Sequence, residues 1–358
     1  MKQKILIVLL ALACVFCLVF GSTACFEKDD GNQNGTEQGG TNTPTPDADG
    51  EEGNGEPEGD GHTHEWQETY TYDDIHHYKK CDSCAEVSEK AEHEFNQSNL
   101  CQICGYENIP ETEGLKFTLN EDGLSYSVTG IGSVTATKIR IPAEHNGKPV
   151  TSIGEAAFEA CESLISIKIP DSVTYIGVAA FFFCRSLESI TIPDSVVSID
   201  YDAFMVCTSL ESLTVSSGNR VYHSAENCII ETATKTLIAG CKNSIIPADG
   251  SVTSIGISAF YGCMSLESIT IPNGITSIGE RAFGYCSSLE SITIPDGVTS
   301  IGDNAFYCCS SLESINYKGT TEQWGAINKD SRWDSYTTNY IINCTDGEIA
   351  KDGTVTKY

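Results

Sequence analysis

The chain has 358 residues, with 50 acidic and 21 basic side chains and a formal net charge of −29. That balance excludes a nucleic-acid binder, which needs Lys and Arg to displace phosphate counterions, and excludes electrostatic docking on anionic lipid. Length predicts about two domains, and a composition of 40% hydrophobic and 9% aromatic residues supplies a core, so the chain is not wholly disordered.

The N-terminus reads as an address. Lys2 and Lys4 precede an apolar run, Ile5 to Phe20, and then Gly21-Ser22-Thr23-Ala24-Cys25. A positive start, a short apolar stretch and small residues before a cleavage point describe a secretory signal over residues 1–24. Ending on Cys25, the segment resembles a bacterial lipoprotein lipobox, although Ser22 stands where an aliphatic residue is usual. The resemblance implies a lipid-modified Cys25 and a two-chain anchor strong enough for stable membrane attachment. Ordinary cleavage near Ala24, or an uncleaved anchor, are the alternatives.

Residues 25–61 form an acidic tether. From residue 26 onward they hold 11 carboxylates and one Lys, many Gly, and almost no apolar side chain after Phe26. Such a segment cannot bury enough surface to offset chain entropy. Self-repulsion extends it, which makes it a spacer between membrane and folded part.

Residues 62–110 form a small Cys/His module. Cys81-x2-Cys84 and Cys101-x2-Cys104 are separated by 16 residues, which fits the spacing of paired zinc knuckles. Two residues between ligands let both thiolates of a knuckle face one cation, and two knuckles complete a tetrahedron. Four protein ligands leave no open position for water, so the expected zinc is structural. His77 and His93 are extra donors, and a mixed site of Cys81, Cys84, His77 and His93 is an alternative. Disulfide bonding is the other, because an extracytoplasmic location permits it. The module resembles small zinc-ribbon-like Cys/His modules of bacterial surface proteins.

The bulk of the chain is a repeat. Thr151 to Val173 reads TSIGEAAFEACESLISIKIPDSV, and copies of this 23-residue unit start again at Thr174, Val197, Thr253, Thr276 and Thr299. In one copy Leu187, Ile190 and Ile192 give the L-x-x-I-x-I of a leucine-rich strand, which Pro193 stops. Ala180, Phe181, Cys184 and Leu187 recur at i, i+1, i+4 and i+7, predicting the buried face of a short helical segment. Ile176 and Gly177 are read as the turn between the two. One copy cannot bury its apolar face alone, so stacking is required. Residues 111–150 and 322–358 cap the 151–321 array, and residues 220–252 replace one copy with a longer one carrying a hairpin. The expected fold class is an α/β repeat solenoid, a leucine-rich repeat with a parallel strand ladder and short helical segments, preceded by the metal-stapled module.

The motif residues Ile153-Gly154, Ala157-Phe158, Cys161, Leu164, Ile167 and Ile169-Pro170, repeated onward, resemble the bacterial BspA-like leucine-rich repeat family. Copy three departs, with Asp200 for Gly and Ser216 for Pro. The resemblance implies cell-surface display and adhesion to host proteins or other cells, and it brings no catalytic residues.

Six cysteines, Cys161, Cys184, Cys207, Cys263, Cys286 and Cys309, occupy one repeat position and are expected as buried thiols, because parallel rungs point equivalent side chains the same way. Cys228 and Cys241 flank the inserted hairpin and are the one candidate disulfide of the array. On the strand face, Thr191, Thr214, Thr270 and Thr293 point outward beside a glutamate column of Glu188, Glu211, Glu267, Glu290 and Glu313. This is either a solvated ladder or a surface for an extracellular protein or glycan. No G-x-S-x-G, H-E-x-x-H or P-loop occurs. The leading expectation is therefore a lipid-anchored surface binding protein that is not an enzyme and touches the membrane only through its anchor. The alternative is a structural cell-envelope scaffold.

Overall fold

The computed structural model describes residues 65–358 apart from 69, 73–75, 81–86, 98 and 105–106. Cys25, the tether, Cys81 and Cys84 lie outside the described residues.

Each 23-residue copy contributes two short strands, and each joins its own ladder. On one face the strands Lys138–Arg140, Ser166–Lys168, Ser189–Ile192 and Ser212–Val215 pair in parallel. Beyond the inserted copy, Ser268–Thr270, Ser291–Ile294, Ser314–Tyr317 and Ile341–Cys344 resume the pattern. On the other face the second strand of each copy does the same, as in Lys148–Ile153, Tyr175–Ile176 and Ser198–Ile199. Register is fixed to the repeat: Ile190 opposes Leu213, and Ile292 opposes Ile315. A slip of one residue would turn every buried Ile to solvent.

The segment between the strands is buried as predicted but is not helical. Ala180, Phe181, Cys184 and Leu187 are fully buried, yet the copies show turns here, and the helix Thr321–Ala326 in the C-terminal cap is the α-helix among the described residues. The reason is backbone geometry. Two residues in every copy sit in the left-handed region: Ala156 and Ala160, Ala179 and Phe183, Arg281 and Tyr285, Asn304 and Cys308. These breaks turn amide groups sideways, so Phe158 N donates to Ala180 O, Phe181 N to Ala203 O, and Phe283 N to Ala305 O. Each left-handed residue costs roughly 1 kcal/mol or more, and the rung-to-rung hydrogen bonds offset it. The i, i+1, i+4, i+7 spacing is shared by a helix and by this tight turn, so periodicity alone selects the wrong one.

The repeated glycine also has a different role from the expected turn. Gly177, Gly279 and Gly302 do not need positive φ; a Cβ at Gly279 would lie 2.7 Å from Gly256 C and 2.9 Å from Ile255 O of the preceding rung. Glycine is there because the rungs approach closely.

The core is a set of stacked columns. Phe158, Phe181 and Phe204 stack at 5.5 and 5.7 Å, and Phe260, Phe283 and Phe306 at 5.1 and 5.4 Å. The cysteine column is free thiols, as expected. Four of the six sulfurs reach back one rung to a phenylalanine carbonyl: Cys184 Sγ donates to Phe158 O at 3.1 Å, Cys207 to Phe181 O at 3.2 Å, Cys286 to Phe260 O at 3.2 Å and Cys309 to Phe283 O at 3.1 Å. Burial raises the pKa of these thiols, that of Cys207 to about 12. Cys228 and Cys241 are free as well, and Cys228 Sγ bonds Ile245 O while Cys241 Sγ bonds Asn227 O. In place of the candidate disulfide there are two separate thiol contacts.

The longer copy interrupts both ladders and divides the core into two clusters. Strands Tyr222–Ala225 and Cys228–Glu231 form an antiparallel hairpin, turned by Glu226 and Asn227, both left-handed, as a two-residue hairpin loop with matching twist requires. Strand Thr236–Ala239 then pairs antiparallel with Cys228–Glu231 and parallel with Ser254–Ile255, restarting the ladder. At the C-terminal end Trp333 O accepts from Phe306 N, and Trp324, Trp333 and Tyr340 close the last phenylalanine column edge to face. Gly347–Ala350 and Val355–Lys357 finish the sheet as an antiparallel meander.

Candidate functional site

The N-terminal module is a three-stranded antiparallel sheet, Thr71–Tyr72, His76–Tyr78 and Ala91–Glu92. Within the strand His76–Tyr78, His77 is buried, with Tyr70 edge-on at 5.1 Å. After the strand Ala91–Glu92, a tight hairpin brings the chain back, with Asn96 N bonding Leu100 O and Gln102 N bonding Glu94 O. That return sets Cys101 and Cys104 beside His93. The result is a cluster of His77, His93, Cys101 and Cys104 whose four ligand atoms all lie within 4.8 Å of one another. Cys104 Sγ is 3.4 Å from His93 Nδ1, and Cys101 Sγ is 3.9 Å from His77 Nδ1. Burial raises the pKa of Cys101, but the Cys104 N–H, the His93 ring and the Ile103 N–H outweigh it and hold the thiol at about 6, below the ordinary 9.0. Thiolate character is what a soft metal needs.

Sequence spacing paired Cys101 and Cys104 with Cys81 and Cys84, and offered His77 and His93 to the first knuckle or as extras. The structure brings the two histidines to the second knuckle. A signal for His93 stands in the sequence: His93-Glu94-Phe95 before Cys101-x2-Cys104 echoes His64-Glu65-Trp66 before Cys81-x2-Cys84. Nothing in the spacing marks His77 over His76; strand pairing decides that.

The strand face places the predicted polar columns in register. Thr191 opposes Thr214, with their hydroxyls 2.8 Å apart, and Thr270 opposes Thr293, which opposes Asn316. Glu188, Glu211, Glu267, Glu290 and Glu313 are exposed, joined rung to rung by backbone bonds such as Glu290 N to Glu267 O and Glu313 N to Glu290 O. The inserted copy splits this face in two. In the first patch Glu211 is paired with Lys242 at 2.7 Å. The second, carrying Glu267, Glu290 and Glu313, is the longer acidic run. The aromatics beside the core form their own stripe, Tyr261, Tyr285, Tyr307 and Tyr336, at 5.3 Å steps. The two histidines outside the module are structural: His145 stacks on Phe117 at 4.1 Å, and His223 Nδ1 meets Thr232 Oγ1 at 2.9 Å.

Parallel ladders, a leucine-rich strand and one apolar column per position define the class: a leucine-rich repeat solenoid. Six copies of the BspA type Leucine rich repeat region match residues 132–248 and 235–328, more than half of the chain. The chain belongs to that family. Among solved structures it is similar to the pneumococcal vaccine antigen PcpA, at 17% identity and a TM-score of 0.45, covering 77% of this chain and 82% of that one. It is also similar to a leucine-rich repeat protein from Eubacterium ventriosum, at 20% identity and a TM-score of 0.37, covering 65% and 83%. A Treponema pallidum leucine-rich repeat protein is a third, at 23% identity and a TM-score of 0.26, covering 58% and 71%. None of the curated proteins compared with the chain matches it. No helix among the described residues is long and apolar enough to cross a membrane.

Proposed function

We propose that this protein is a lipid-anchored, cell-surface binding protein that displays its solenoid for an extracellular protein or glycan. The observation that carries the reading is the exposed strand face, where hydroxyl and carboxylate columns repeat at rung spacing over Glu267, Glu290 and Glu313. Rungs about 4.8 Å apart present these groups as a regular array, which suits a repetitive or basic ligand. The leader ending at Cys25 and the acidic tether support outward display. In a screen of mature protein carrying Cys25→Ser against immobilised matrix proteins and glycans, saturable binding is expected. Glu267→Ala and Glu290→Ala should each weaken it about two- to tenfold, the scale of an exposed charge contact. Unchanged affinity in both variants removes the strand face. Retention of the protein in cell-wall fractions with no ligand bound would favour the envelope scaffold.

The second part of the proposal is a structural zinc ion held by His77, His93, Cys101 and Cys104. Two thiolates and two imidazoles are a complete tetrahedral set, and a module this small has too little core to fold without a staple. Metal analysis of the full chain should find zinc, and Cys104→Ser together with His77→Ala should each release one equivalent. The cobalt-substituted site should show thiolate charge-transfer absorption for two sulfurs rather than four. Protein free of zinc with reactive thiols at Cys101 and Cys104 would overturn this.

A further inference from the structure

The regular ladder fails at one place, and the failure builds a cleft. In copies one, four and five, three amides of the turn donate to the next rung, as Ser258 N to Glu280 O, Phe260 N to Ala282 O and Gly262 N to Gly284 O. From copy three only Val206 N reaches across, to Tyr261 O; Ala259 O, the acceptor Phe204 would use, takes Gly240 N of the inserted copy instead. Gly240 has no room for a side chain, since a Cβ there would sit 2.1 Å from the Phe260 ring. The phenylalanine column breaks at the same point, between Phe204 and Phe260. The sequence departs here too: Asp200 replaces the glycine whose absent Cβ lets other rungs close up.

The opening is a cleft of about 300 Å³ between residues 199–205 of copy three and residues of the insertion and copy four. Its walls include Met205 and Ile238, and Asp200, Tyr201, Asp202 and Ser258 give it its polar groups. Two of these carry buried atoms with no hydrogen-bond partner: Asp202 Oδ1 and Ser258 Oγ. Ser258 is 8% exposed. Asp202 Oδ2 lies 3.6 Å from Arg281 Nη1, a long ion pair, and the same guanidinium is held by Glu280 at 3.2 Å. Asp200 Oδ2 accepts the Tyr175 hydroxyl at 2.5 Å. Two carboxylates, those of Asp202 and Glu280, thus face one guanidinium, and one buried carboxylate oxygen is left as an acceptor in an apolar-walled cleft. A buried acceptor without a donor is costly, and a charged donor on an alkyl stem relieves it best.

We infer that this cleft takes the cationic side chain of a basic segment of a partner protein, with a lysine stem against Met205 and Ile238 and its ammonium on Asp202 and Ser258. The inference rests on the surface-binding reading only for where the partner is met. Its test is a peptide titration, separate from the screen that tests the strand face, so either can fail alone. The full mature chain is titrated by calorimetry with acetyl-Gly-Lys-Gly-amide and with the norleucine peptide of the same length. Binding of the lysine peptide at least about tenfold stronger, weakening with salt, is expected. Asp202→Asn and Ser258→Ala should each lower that affinity about tenfold or more, and Asp296→Asn, on a turn outside the cleft, should not. Equal binding of the two peptides, full affinity in both cleft variants, or saturable binding of a neutral oligosaccharide abolished by Asp202→Asn would overturn it.

Discussion

Phe283→Ala is expected to destabilise the C-terminal half of the solenoid by about 3–5 kcal/mol. Phe283 is fully buried and is the middle ring of the second column, with Phe260 at 5.1 Å on one side and Phe306 at 5.4 Å on the other. Truncation opens a cavity that neither rung can close, because both are fixed by Phe283 N to Ala305 O and Phe260 N to Ala282 O. In a repeat array stability is a sum of rung and interface terms, so one ring removed weakens two interfaces. The core is also divided in two at the insertion. Urea denaturation should therefore show a lowered midpoint for the transition reporting Trp324 and Trp333, which lie in the same cluster. A shift of less than about 1 kcal/mol would mean that the column packs loosely.

Gly279→Ala should cost about 1–3 kcal/mol, the range for forcing an extra methyl into a packed interior. The added Cβ would meet Gly256 C at 2.7 Å and Gly256 O at 2.8 Å. These are backbone atoms, so relief requires moving a whole rung. Gly325→Ala is the matched comparison. Gly325 lies in the helix Thr321–Ala326 with nothing within 4 Å of its would-be Cβ. There the change should be neutral or stabilising, by up to about 1 kcal/mol. Denaturation midpoints of the two variants must move in opposite directions or differ by more than about 1 kcal/mol; equal small effects would show that rung spacing is not what selects glycine.

Much of this protein was legible in the sequence because a repeat states its packing several times. Leu187, Ile190 and Ile192 recur with one period, so their burial, their parallel pairing and the column they form follow from stacking alone. The cysteine column follows by the same reasoning, since equivalent side chains on parallel rungs cannot face each other. The helical reading of the Ala-Phe-x-x-Cys segment failed because an apolar spacing does not report φ. Left-handed backbone at Ala179 and Phe183 becomes worthwhile only when a neighbouring rung accepts the sideways amides. The recurrence of Ile-Gly in every copy but the third is likewise visible in the sequence, but its cause, the approach of one rung to the next, is not.

The candidate sites divide in the same way. The sequence by itself determined which residues could be ligands, Cys101 and Cys104 with their two-residue spacing among them, and which positions face outward on the strands. Only tertiary structure decided that His77 and His93, 16 residues apart in the chain, meet the second cysteine pair, because antiparallel pairing and a hairpin return set that distance. Likewise the sequence marked residues 220–252 and Asp200 as irregular. That the irregularity opens a cleft in which Asp202 Oδ1 and Ser258 Oγ have no hydrogen-bond partner depends on which carbonyl Gly240 takes from the neighbouring rung, and a competition between two amides for one acceptor is settled in three dimensions.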